Sequence, residues 1–405
     1  MYITEIFLQG FRNLSQLHIE PSEGINVIYG SNAQGKTNFL ESLYFCAMGR
    51  SMRGKSDQQL IAFDAQESHI RLLVQTQNRR DKIDVHLKQN EKKGIAVNGL
   101  PVKRLGELFG TLYAVIFSPE DLSLVKDAPT ERRRFLDMEL CQLSRVYYYD
   151  LQQYYRILKQ RNNLLKEIQK KPSLQETLFV WDGQMVEYGE RIIAARRRFL
   201  VRLDEIAAEK LARLTGGRDS LQTLYKPNCE EGSFAERLHR NLERDILFGA
   251  TQSGPHKDDI SFLVNGREAK VYGSQGQQRT TALAARLAEI DLIREETGEL
   301  PVLLLDDVFS ELDESRQKYL LESIDGLQAF VTCTGILSEN ISAGIIYFMS
   351  KTELSYRKRK TGTEKKISQC LFFVFSDTLY NRKNNDITGK KQQAEIFSGR
   401  ASIIK

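Results

Sequence analysis

The sequence contains little of what marks several large protein classes. Its 405 residues include eight Pro, one Trp and five Cys, and the cysteines are odd in number and widely spaced. A disulfide scaffold or a zinc site is therefore not expected, whereas a reducing compartment is. Apolar runs do not approach the roughly 20 residues of a membrane-spanning helix, and residues 1–5 lack the features of a secretory signal. We predict a cytoplasmic protein with no membrane partner.

Charge is distributed unevenly along the chain. The formal net charge is +5, but residues 351–405 hold 13 Lys and Arg against 5 Asp and Glu, a balance of +8 that leaves −3 for residues 1–350. Global charge is therefore no argument that the body of the protein binds a polyanion, and a nucleic-acid contact must come from local clusters. The 41% hydrophobic and 27% charged content is that of a globular protein with one large or two ordinary domains.

Strands and helices alternate at both ends of the sequence. Residues 1–8 and 24–29 are rich in β-forming residues, and a helical pattern of apolar residues starts at Lys36. Residues 301–305 form a continuous apolar run, which is typical of a parallel strand buried on both faces, and residues 329–333 predict the next strand. Asn-Gly pairs further predict hairpins at residues 95–102 and 262–266.

The middle of the sequence predicts long helices. Apolar residues recur at steps of three and four from about 130 to 168, and a second helical stretch runs from about 174 to 214 after a break at Pro172. Two such helices make an antiparallel helical hairpin, and each would reach roughly 50–60 Å at 1.5 Å per residue. The pattern does not decide between an arm that projects from a globular head and an ordinary packed helical subdomain.

The fold class that follows is α/β, with one head built from both chain ends and interrupted by a helical insertion. The predicted order is the N-terminal part of the head, the helical arm, the C-terminal part of the head and a basic tail, at residues 1–124, 125–250, 251–335 and 336–405. We assign no function to the tail, which lacks clear periodicity.

A phosphate-binding loop stands between a predicted strand and a predicted helix. The pattern G-x-x-x-x-G-K-[ST] is matched without a mismatch by Gly30, Ser31, Asn32, Ala33, Gln34, Gly35, Lys36 and Thr37. The glycines let backbone N–H groups and the helix N-terminus point at phosphate oxygens. Lys36 would contact the β- and γ-phosphates and the Thr37 hydroxyl would bind Mg²⁺, so this P-loop predicts a nucleotide site.

Two acids end the apolar strand at residues 301–305. Asp306 would hold the Mg²⁺ shell, and Asp307 would face the attacking water. The alternative is a strand that ends in a polar turn. Two adjacent acids after a fully apolar strand are costly unless they meet a cation, which favours the metal site.

A second Ser/Gly loop lies between these two motifs in the sequence. Ser274, Gly276 and Gln277 precede a helical pattern at residues 280–293, so this loop offers N–H groups to a phosphate at a helix N-terminus. The alternative is a plain helix cap, and the loop alone is weak evidence for a site.

Together these motifs resemble the ABC-type ATPase class, which transporters and SMC proteins share, and more sharply the RecF family of bacterial DNA replication and recombination-repair proteins. The segments that carry the resemblance are Phe11-Arg12-Asn13 and residues 30–53, 117–122, 131–137, 253–259, 274–278 and 303–313. They stand in the family's order and cover residues 1–334. The resemblance implies an ABC/SMC-like P-loop ATPase head with a short helical arm.

The resemblance also implies a mechanism. Two heads would sandwich two ATP molecules, with Ser274 and Gly276 of one head at the γ-phosphate bound by the other, so ATP would act as the dimerising ligand. Lys36, Asp307 and Ser274 would take part in hydrolysis. The further ATP contacts implied are Gln277, Arg12 and Asn13. Family members bind DNA, favour gapped DNA or junctions of single and double strands, and support SOS induction and RecA loading with RecO and RecR.

Two departures from the transporter pattern alter these expectations. Asp307 stands where transporters place Glu, and a base one methylene shorter should act less well on the attacking water, so we expect slow hydrolysis that suits a switch. Transporters also have a switch His where this sequence has Thr332 and Thr334, which leaves the γ-phosphate sensor open.

Clustered basic residues are the candidates for DNA contact, because Arg and Lys neutralise backbone phosphates without reading sequence. The favoured residues, which follow the P-loop helix, are Arg50, Arg53 and Lys55. Residues 132–134 and 196–198 are further basic runs, and the second is typical of a solvated helix face. His256 has no spaced His or Cys partner, so we expect a structural role for it and no metal.

Three other functions share parts of this pattern. A transporter ATPase subunit is disfavoured by the 238-residue separation of Lys36 and Ser274, which helices fill. A P-loop small-molecule kinase would lack the second Ser/Gly loop. The head of another SMC-type DNA-metabolism ATPase is the nearest alternative, but an SMC protein needs a far longer arm.

Overall fold

The computed structural model describes residues 1–53, 56–334, 345–350 and 353–358. Lys55 lies outside these residues, and so does the predicted tail except for residues 345–350 and 353–358. The strands are β1 (Tyr2–Phe11), β2 (Leu14–Ile19), β3 (Ile25–Tyr29), β4 (Glu67–Gln75), β5 (Arg80–Lys88), β6 (Gly94–Val97), β7 (Leu100–Pro101), β8 (Ala114–Phe117), β9 (Leu221–Lys226), β10 (Asp259–Val264), β11 (Arg267–Glu268), β12 (Val302–Asp306), β13 (Ala329–Cys333), β14 (Ile345–Ser350) and β15 (Glu353–Lys358). The helices are α1 (Lys36–Met48), α2 (Leu122–Lys126), α3 (Pro129–Leu143), α4 (Arg145–Ile168), α5 (Leu178–Thr215), α6 (Phe234–Arg240), α7 (Leu242–Phe248), α8 (Ala269–Tyr272), α9 (Gln275–Thr297) and α10 (Glu314–Ser323).

A mainly parallel sheet forms the centre of the head. Its strand order is β15-β14-β3-β13-β12-β8, and only the pairing of β15 with β14 is antiparallel among these described strands. Every residue of β12 and β13 is buried, as expected for central strands covered on both faces. The carboxyl ends of β3, β13 and β12 therefore meet at one edge of the sheet, and this edge carries the P-loop and the acid pair.

Two further sheets are antiparallel. The larger has the order β2-β1-β4-β5-β6-β7 and buries alternate residues, such as Ile83, Val85 and Leu87 of β5, on one face. The smaller has the order β11-β10-β9. The Asn-Gly pairs that begin at Asn98 and Asn265 have positive φ angles at both residues, so both predicted hairpins are confirmed.

The helical segment differs from its predicted form at one point. The prediction of one continuous helix from 130 to 168 is wrong, because α3 ends at Leu143 and the extended Ser144 caps α4 by accepting a hydrogen bond from the Tyr147 N–H. The apolar period continues through this break, which is why the sequence pattern did not show it. With 24 residues, α4 spans only about 36 Å at 1.5 Å per residue.

The antiparallel hairpin of α4 and α5 is confirmed by its ion pairs. Arg161 of α4 meets Asp182 of α5 at 2.6 Å, and the earlier Asp150 meets the later Arg191 at 3.2 Å. The 38-residue α5 then continues beyond α4 and packs along α9 of the head, where Lys210 and Asp291 are 2.6 Å apart. The first half of α5 thus forms a hairpin with α4, and its second half packs on the head. The limits of this segment as a domain, residues 125–250, stay a prediction.

The predicted tail contains two strands of the central sheet. β14 pairs in parallel with β3, and β15 forms the outer edge. Tyr347 and Met349 of β14 are buried. Residues 345–350 and 353–358 therefore form strands, although the sequence of the predicted tail lacks clear periodicity. Within the described residues, no helix combines the length and the apolar character that crossing a membrane requires.

Candidate nucleotide-binding site

The P-loop connects β3 to α1 through two residues with left-handed backbone. Ala33 has φ +63° and Gly35 has φ +106°, so the chain turns sharply before α1 starts at Lys36. A Cβ atom on Gly35 would lie 2.5 Å from Asn13 Oδ1, and one on Gly30 would lie 2.6 Å from the Met349 carbonyl oxygen. Gly35 is therefore favoured by its left-handed backbone, and Gly30 by the close approach of the Met349 carbonyl oxygen.

Lys36 lies at the centre of the loop and is almost fully buried. Its ammonium donates to the carbonyl oxygens of Gly30 at 2.7 Å and Ser31 at 2.9 Å. Burial lowers the pKa of Lys36, and the negative charges of Asp307 and Asp306 act in the opposite direction. The lysine and both acids of the β12 motif therefore share one electrostatic environment.

The two predicted metal ligands lie together. The Thr37 hydroxyl donates to Asp306 Oδ1 at 3.0 Å, although 269 positions separate the two residues in the sequence. Thr332 of β13 donates to the same oxygen at 2.7 Å and accepts a hydrogen bond from the Asp307 N–H at 3.0 Å. Asp307 has φ +52°, a left-handed conformation that is uncommon outside glycine. Sequence reasoning named Thr332 only as an open question.

Arg12 and Asn13, both predicted to lie near the nucleotide, take different places. Asn13 lies on the P-loop, because its Nδ2 donates to the Gln34 carbonyl oxygen at 3.0 Å and its Oδ1 accepts from Asn38 at 2.8 Å. Arg12 instead forms a two-pronged ion pair with Glu41 at 3.1 and 3.2 Å. The guanidinium is thus held against α1, one turn beyond the P-loop.

Glu41 is a functional candidate that sequence reasoning missed. It is completely buried and accepts hydrogen bonds from Arg12, from Ser51 at 2.5 Å and from Arg53 at 3.0 Å. Burial alone would raise the pKa of Glu41, but these hydrogen bonds and the charge of Arg53 outweigh it, so the pKa is lowered. An acid within the mostly apolar helix α1 was the available signal.

The basic residues proposed for DNA have unequal positions. Arg53 is exposed, and it donates to Asn38 at 2.7 Å, which places it on the surface beside the P-loop helix. Arg50 is half-buried at the end of α1. Arg132 and Arg196 are both buried, and Arg196 pairs with Asp258 at 2.8 Å, so the expectation of a solvated face at Arg196 is wrong.

A cavity of about 250 Å³ opens beside Thr37 and Asp306. Its other side is a buried cluster of charged residues. In this cluster Arg286 of α9 meets carboxylates from three elements, namely Asp121 at 2.9 Å, Glu289 at 3.0 Å and Glu139 at 3.7 Å. Burial raises the pKa of all three carboxyl groups, that of Glu139 to about 7.

The second Ser/Gly loop is exposed and lies apart from the P-loop. Ser274 caps α9 by accepting from the Gln277 N–H, and Gln277 Oε1 accepts from the Ser274 N–H. Gln277 also donates to Asp219 at 3.0 Å. Ser274 therefore caps α9, while the phosphate contact expected of this loop stays a prediction. In the described part of the chain, no hydrogen bond joins this loop to the P-loop, and Ser274 and Gly276 face outward.

His256 has the structural role expected of it. Its Nδ1 is 2.7 Å from the Tyr154 hydroxyl and its Nε2 is 3.1 Å from the Thr251 carbonyl oxygen, so a neutral ring with hydrogen on Nε2 satisfies both. Burial lowers the pKa of His256 to about 4. The ring therefore acts as a neutral bridge between the helical segment and the loop before β10.

The parallel sheet, the P-loop and the acid pair at one sheet edge define a P-loop ATPase head of the ABC/SMC type. The solved structure of an SMC head bound to the C-winged helix domain of ScpA shares this fold, with a TM-score of 0.53 at 16% identity over 88% of this chain and 98% of that one. Residues 2–344 match the family described as RecF/RecN/SMC N terminal domain.

The chain belongs to the RecF family. It is 47% identical over 336 residues to the DNA replication and repair protein RecF of Lachnoclostridium phytofermentans, which is 83% of this chain and 93% of that relative. The RecF of Clostridium acetobutylicum is 42% identical over 342 residues, with the same coverage of both chains. The structure of the recombination mediator protein RecF-ATP in the RecFOR pathway has a TM-score of 0.83 at 38% identity, over 88% of this chain and 97% of that one.

Proposed function

We propose that this protein is a DNA repair and replication ATPase that closes as a dimer on DNA when it binds ATP. One observation carries the proposal: in a RecF family chain, Lys36 of the P-loop lies beside the acid pair of β12, with the Thr37 hydroxyl 3.0 Å from Asp306. A lysine, a hydroxyl and two carboxylates at a helix N-terminus are the groups that a nucleoside triphosphate with Mg²⁺ requires. The relative at 38% identity is a RecF–ATP structure.

The residues present fit a magnesium ion. Mg²⁺ prefers oxygen ligands and keeps several waters, and Thr37 and Asp306 offer a hydroxyl and a carboxylate at one point. When bound, the ion would neutralise charge that develops on the phosphates. Lys36 would exchange its carbonyl partners for the β- and γ-phosphates, and the N–H groups of residues 31–37 would surround the phosphate chain.

Hydrolysis would be slow and would act as a timer. Asp307 would orient the attacking water, and its side chain is one methylene shorter than the Glu of transporters. The cap residue Ser274 and Gly276 are exposed at the start of α9, so they are accessible to the γ-phosphate on a second head. A single head therefore lacks this half of the site, which is why ATP would promote dimer formation.

The DNA and protein partners follow from family membership. The RecF–ATP relative is described as a recombination mediator in the RecFOR pathway. We extend this to the present chain, with gapped DNA or strand junctions as the ligand and RecO and RecR as partners in RecA loading and SOS induction. Arg50, Arg53 and Lys55 stay candidates for the DNA contact.

The decisive experiment measures the mass of the protein in solution with and without ATP-Mg²⁺. The wild type should be monomeric alone and dimeric with ATP, while Lys36→Ala loses ATP binding and the dimer together. Ser274→Arg should keep ATP binding but not dimerise. The matched control is Ser233→Arg, at the start of α6, which should dimerise like the wild type.

Gapped duplex DNA then tests the second half of the proposal. ATP should strengthen binding to a gapped duplex for the wild type and not for Ser274→Arg. If the nucleotide-bound wild type stays monomeric, the clamp mechanism is wrong although the ATP site stands. If the wild type does not bind ATP, the whole proposal is wrong.

A further inference from the structure

Thr332 is a polar residue at a position where the fold calls for an apolar one. It lies in β13 at the centre of the parallel sheet, is completely buried, and follows Phe330 and Val331. Valine has nearly the same shape and would fill this position without a buried hydroxyl. Burying a hydroxyl costs free energy unless it is hydrogen-bonded. The hydrogen-bond partners of Thr332 therefore indicate what this residue does.

The hydroxyl of Thr332 contacts both acids of the β12 motif. In the parallel register Thr332 is the direct neighbour of Asp306, and its Oγ1 donates to Asp306 Oδ1 at 2.7 Å. The same oxygen accepts a hydrogen bond from the Asp307 N–H at 3.0 Å. One side chain thus orients the carboxylate of the first acid and fixes the backbone of the second.

Both contacts bear on the chemistry of the site. Thr37 and Thr332 both donate to Oδ1 of Asp306, and within the described residues no donor reaches Oδ2, so the second oxygen stays available to a metal or its water. Asp307 has φ +52°, and such a strained conformation persists only when its surroundings hold it. The hydrogen bond to Thr332 is one of the contacts that hold it.

We propose that Thr332 is a positioning residue for ATP hydrolysis, which sets the orientation of Asp306 for Mg²⁺ and of Asp307 for the attacking water. The inference rests on the proposed ATPase function. It also bears on the γ-phosphate sensor: the Thr332 proton is already donated to Asp306, so this side chain acts through the acids and does not itself contact phosphate.

The test compares Thr332→Val with Thr332→Ser. Valine removes the hydroxyl at nearly constant volume, whereas serine keeps it. Residues that orient metal ligands typically change metal affinity or activity by about 10- to 100-fold, so Thr332→Val should lose that much of the Mg²⁺ enhancement of ATP affinity and of kcat. Its ATP affinity without Mg²⁺ should equal that of the wild type, and Thr332→Ser should restore most of both losses.

Thr223→Val is the matched control. Thr223 is a buried threonine of β9 whose hydroxyl has no hydrogen-bond partner in the described residues, so its loss tests the same chemical change away from the acids. This variant should keep the wild-type Mg²⁺ dependence. If Thr332→Val unfolds below the assay temperature, Thr332→Cys is used in its place. Because a thiol is only a weak hydrogen-bond donor, we expect the same loss of Mg²⁺ enhancement and of kcat.

Two results would overturn the inference. One is a folded Thr332→Val with wild-type Mg²⁺ dependence and kcat, and the other is a Thr332→Ser that is as impaired as Thr332→Val. A wild type that binds no ATP would be a different result, because it contradicts the proposed function itself and not the role of Thr332.

Discussion

At Gly35 the backbone φ angle is +106°, and a Cβ atom would lie 2.5 Å from Asn13 Oδ1. Gly35→Ala should therefore strain the P-loop by about 1–3 kcal/mol and displace Asn13 from the loop. A loss of 1.4 kcal/mol corresponds to a tenfold loss of affinity, so we expect ATP affinity to fall roughly tenfold or more. Calorimetric titration with ATP measures the affinity, and thermal unfolding measures the strain.

Gly24→Ala is the control for this substitution. Gly24 also precedes the site along the chain, but no atom lies within 4 Å of an added Cβ and its φ angle is not positive. This variant should bind ATP as the wild type does. Equal affinities for Gly35→Ala and the wild type would show that the loop does not hold nucleotide in the described conformation.

The contacts of Glu41 show that ion pairs between residues distant in the sequence cannot be predicted from a local pattern. The P-loop pattern located Lys36 and Thr37 because their spacing is fixed by one loop. Arg12 and Arg53 meet Glu41 from positions 29 residues before and 12 residues after it, and no local pattern encodes such a meeting. Only the packing of strands and helices against one another brings these charges together.

The cluster around Arg286 couples α3 to α9, and it predicts a pH dependence. The folded pKa of Glu139 is about 7, above its ordinary value of 4.5, because burial disfavours its charge. Below pH 4.5 both folded and unfolded states hold the proton, and between 4.5 and 7 only the folded state does. The free energy of unfolding should thus fall by on the order of 3 kcal/mol as pH rises through this window.

Glu139→Gln isolates this effect. Glutamine does not titrate, so the variant should gain stability relative to the wild type as pH rises from 4.5 to 7, measured by urea unfolding at several pH values. Glu120→Gln, an exposed acid at the same cavity, is the control and should follow the wild-type profile. A Glu139→Gln profile parallel to that of the wild type would contradict the assignment.

Helix α5 offers a matched pair of glycines for testing its packing. A Cβ atom on Gly189 would lie 2.4 Å from the Phe234 ring of α6, whereas one on Gly183 meets nothing within 4 Å. Gly189→Ala should overpack this contact and cost about 1–3 kcal/mol of stability. Gly183→Ala should instead stabilise by about 0.5–1 kcal/mol through its helix propensity. Thermal unfolding measures the stability of both variants. Equal changes in Tm for the two variants would mean that α5 and α6 do not pack closely.

Helices and strands were predicted correctly where a local pattern of apolar or turn residues marks them. The uninterrupted apolar run of β12 and the Asn-Gly hairpins were found because burial and turn chemistry act locally. The break at Ser144 was missed, since α3 and α4 keep a helical period on both sides of it. Strands β14 and β15 were also missed, although Ile345 to Met349 form an apolar run of the kind that predicts a strand.

Across the whole molecule, α9 connects the parts that the proposed mechanism must coordinate. Its first residues follow Ser274, its middle carries Arg286 beside the cavity at the metal site, and its last turns pair with α5 through Asp291 and Glu295. Because these contacts lie on one helix, a partner that bound the Ser274 loop in the proposed dimer would bind the same element that carries Arg286 and pairs with α5.

Strand β14, which follows residue 334, pairs with β3 directly before the P-loop. β14 closes the β3 edge of the central sheet, its Met349 carbonyl oxygen approaches Gly30, and the Tyr347 hydroxyl donates to the Glu20 carbonyl oxygen at 3.3 Å. A chain shortened to residues 1–359 keeps these contacts and should match the full-length protein in Tm and ATP affinity.

A chain shortened to residues 1–334 tests the same contacts by removing them. It exposes the edge of β3 directly before the P-loop, so its Tm should fall and its ATP affinity should drop with it, because the backbone of Gly30 loses the strand packed against it. Equal Tm values for the two shortened chains would show that β14 does not support the site. A loss already present in the 1–359 chain would place a structural requirement beyond residue 359.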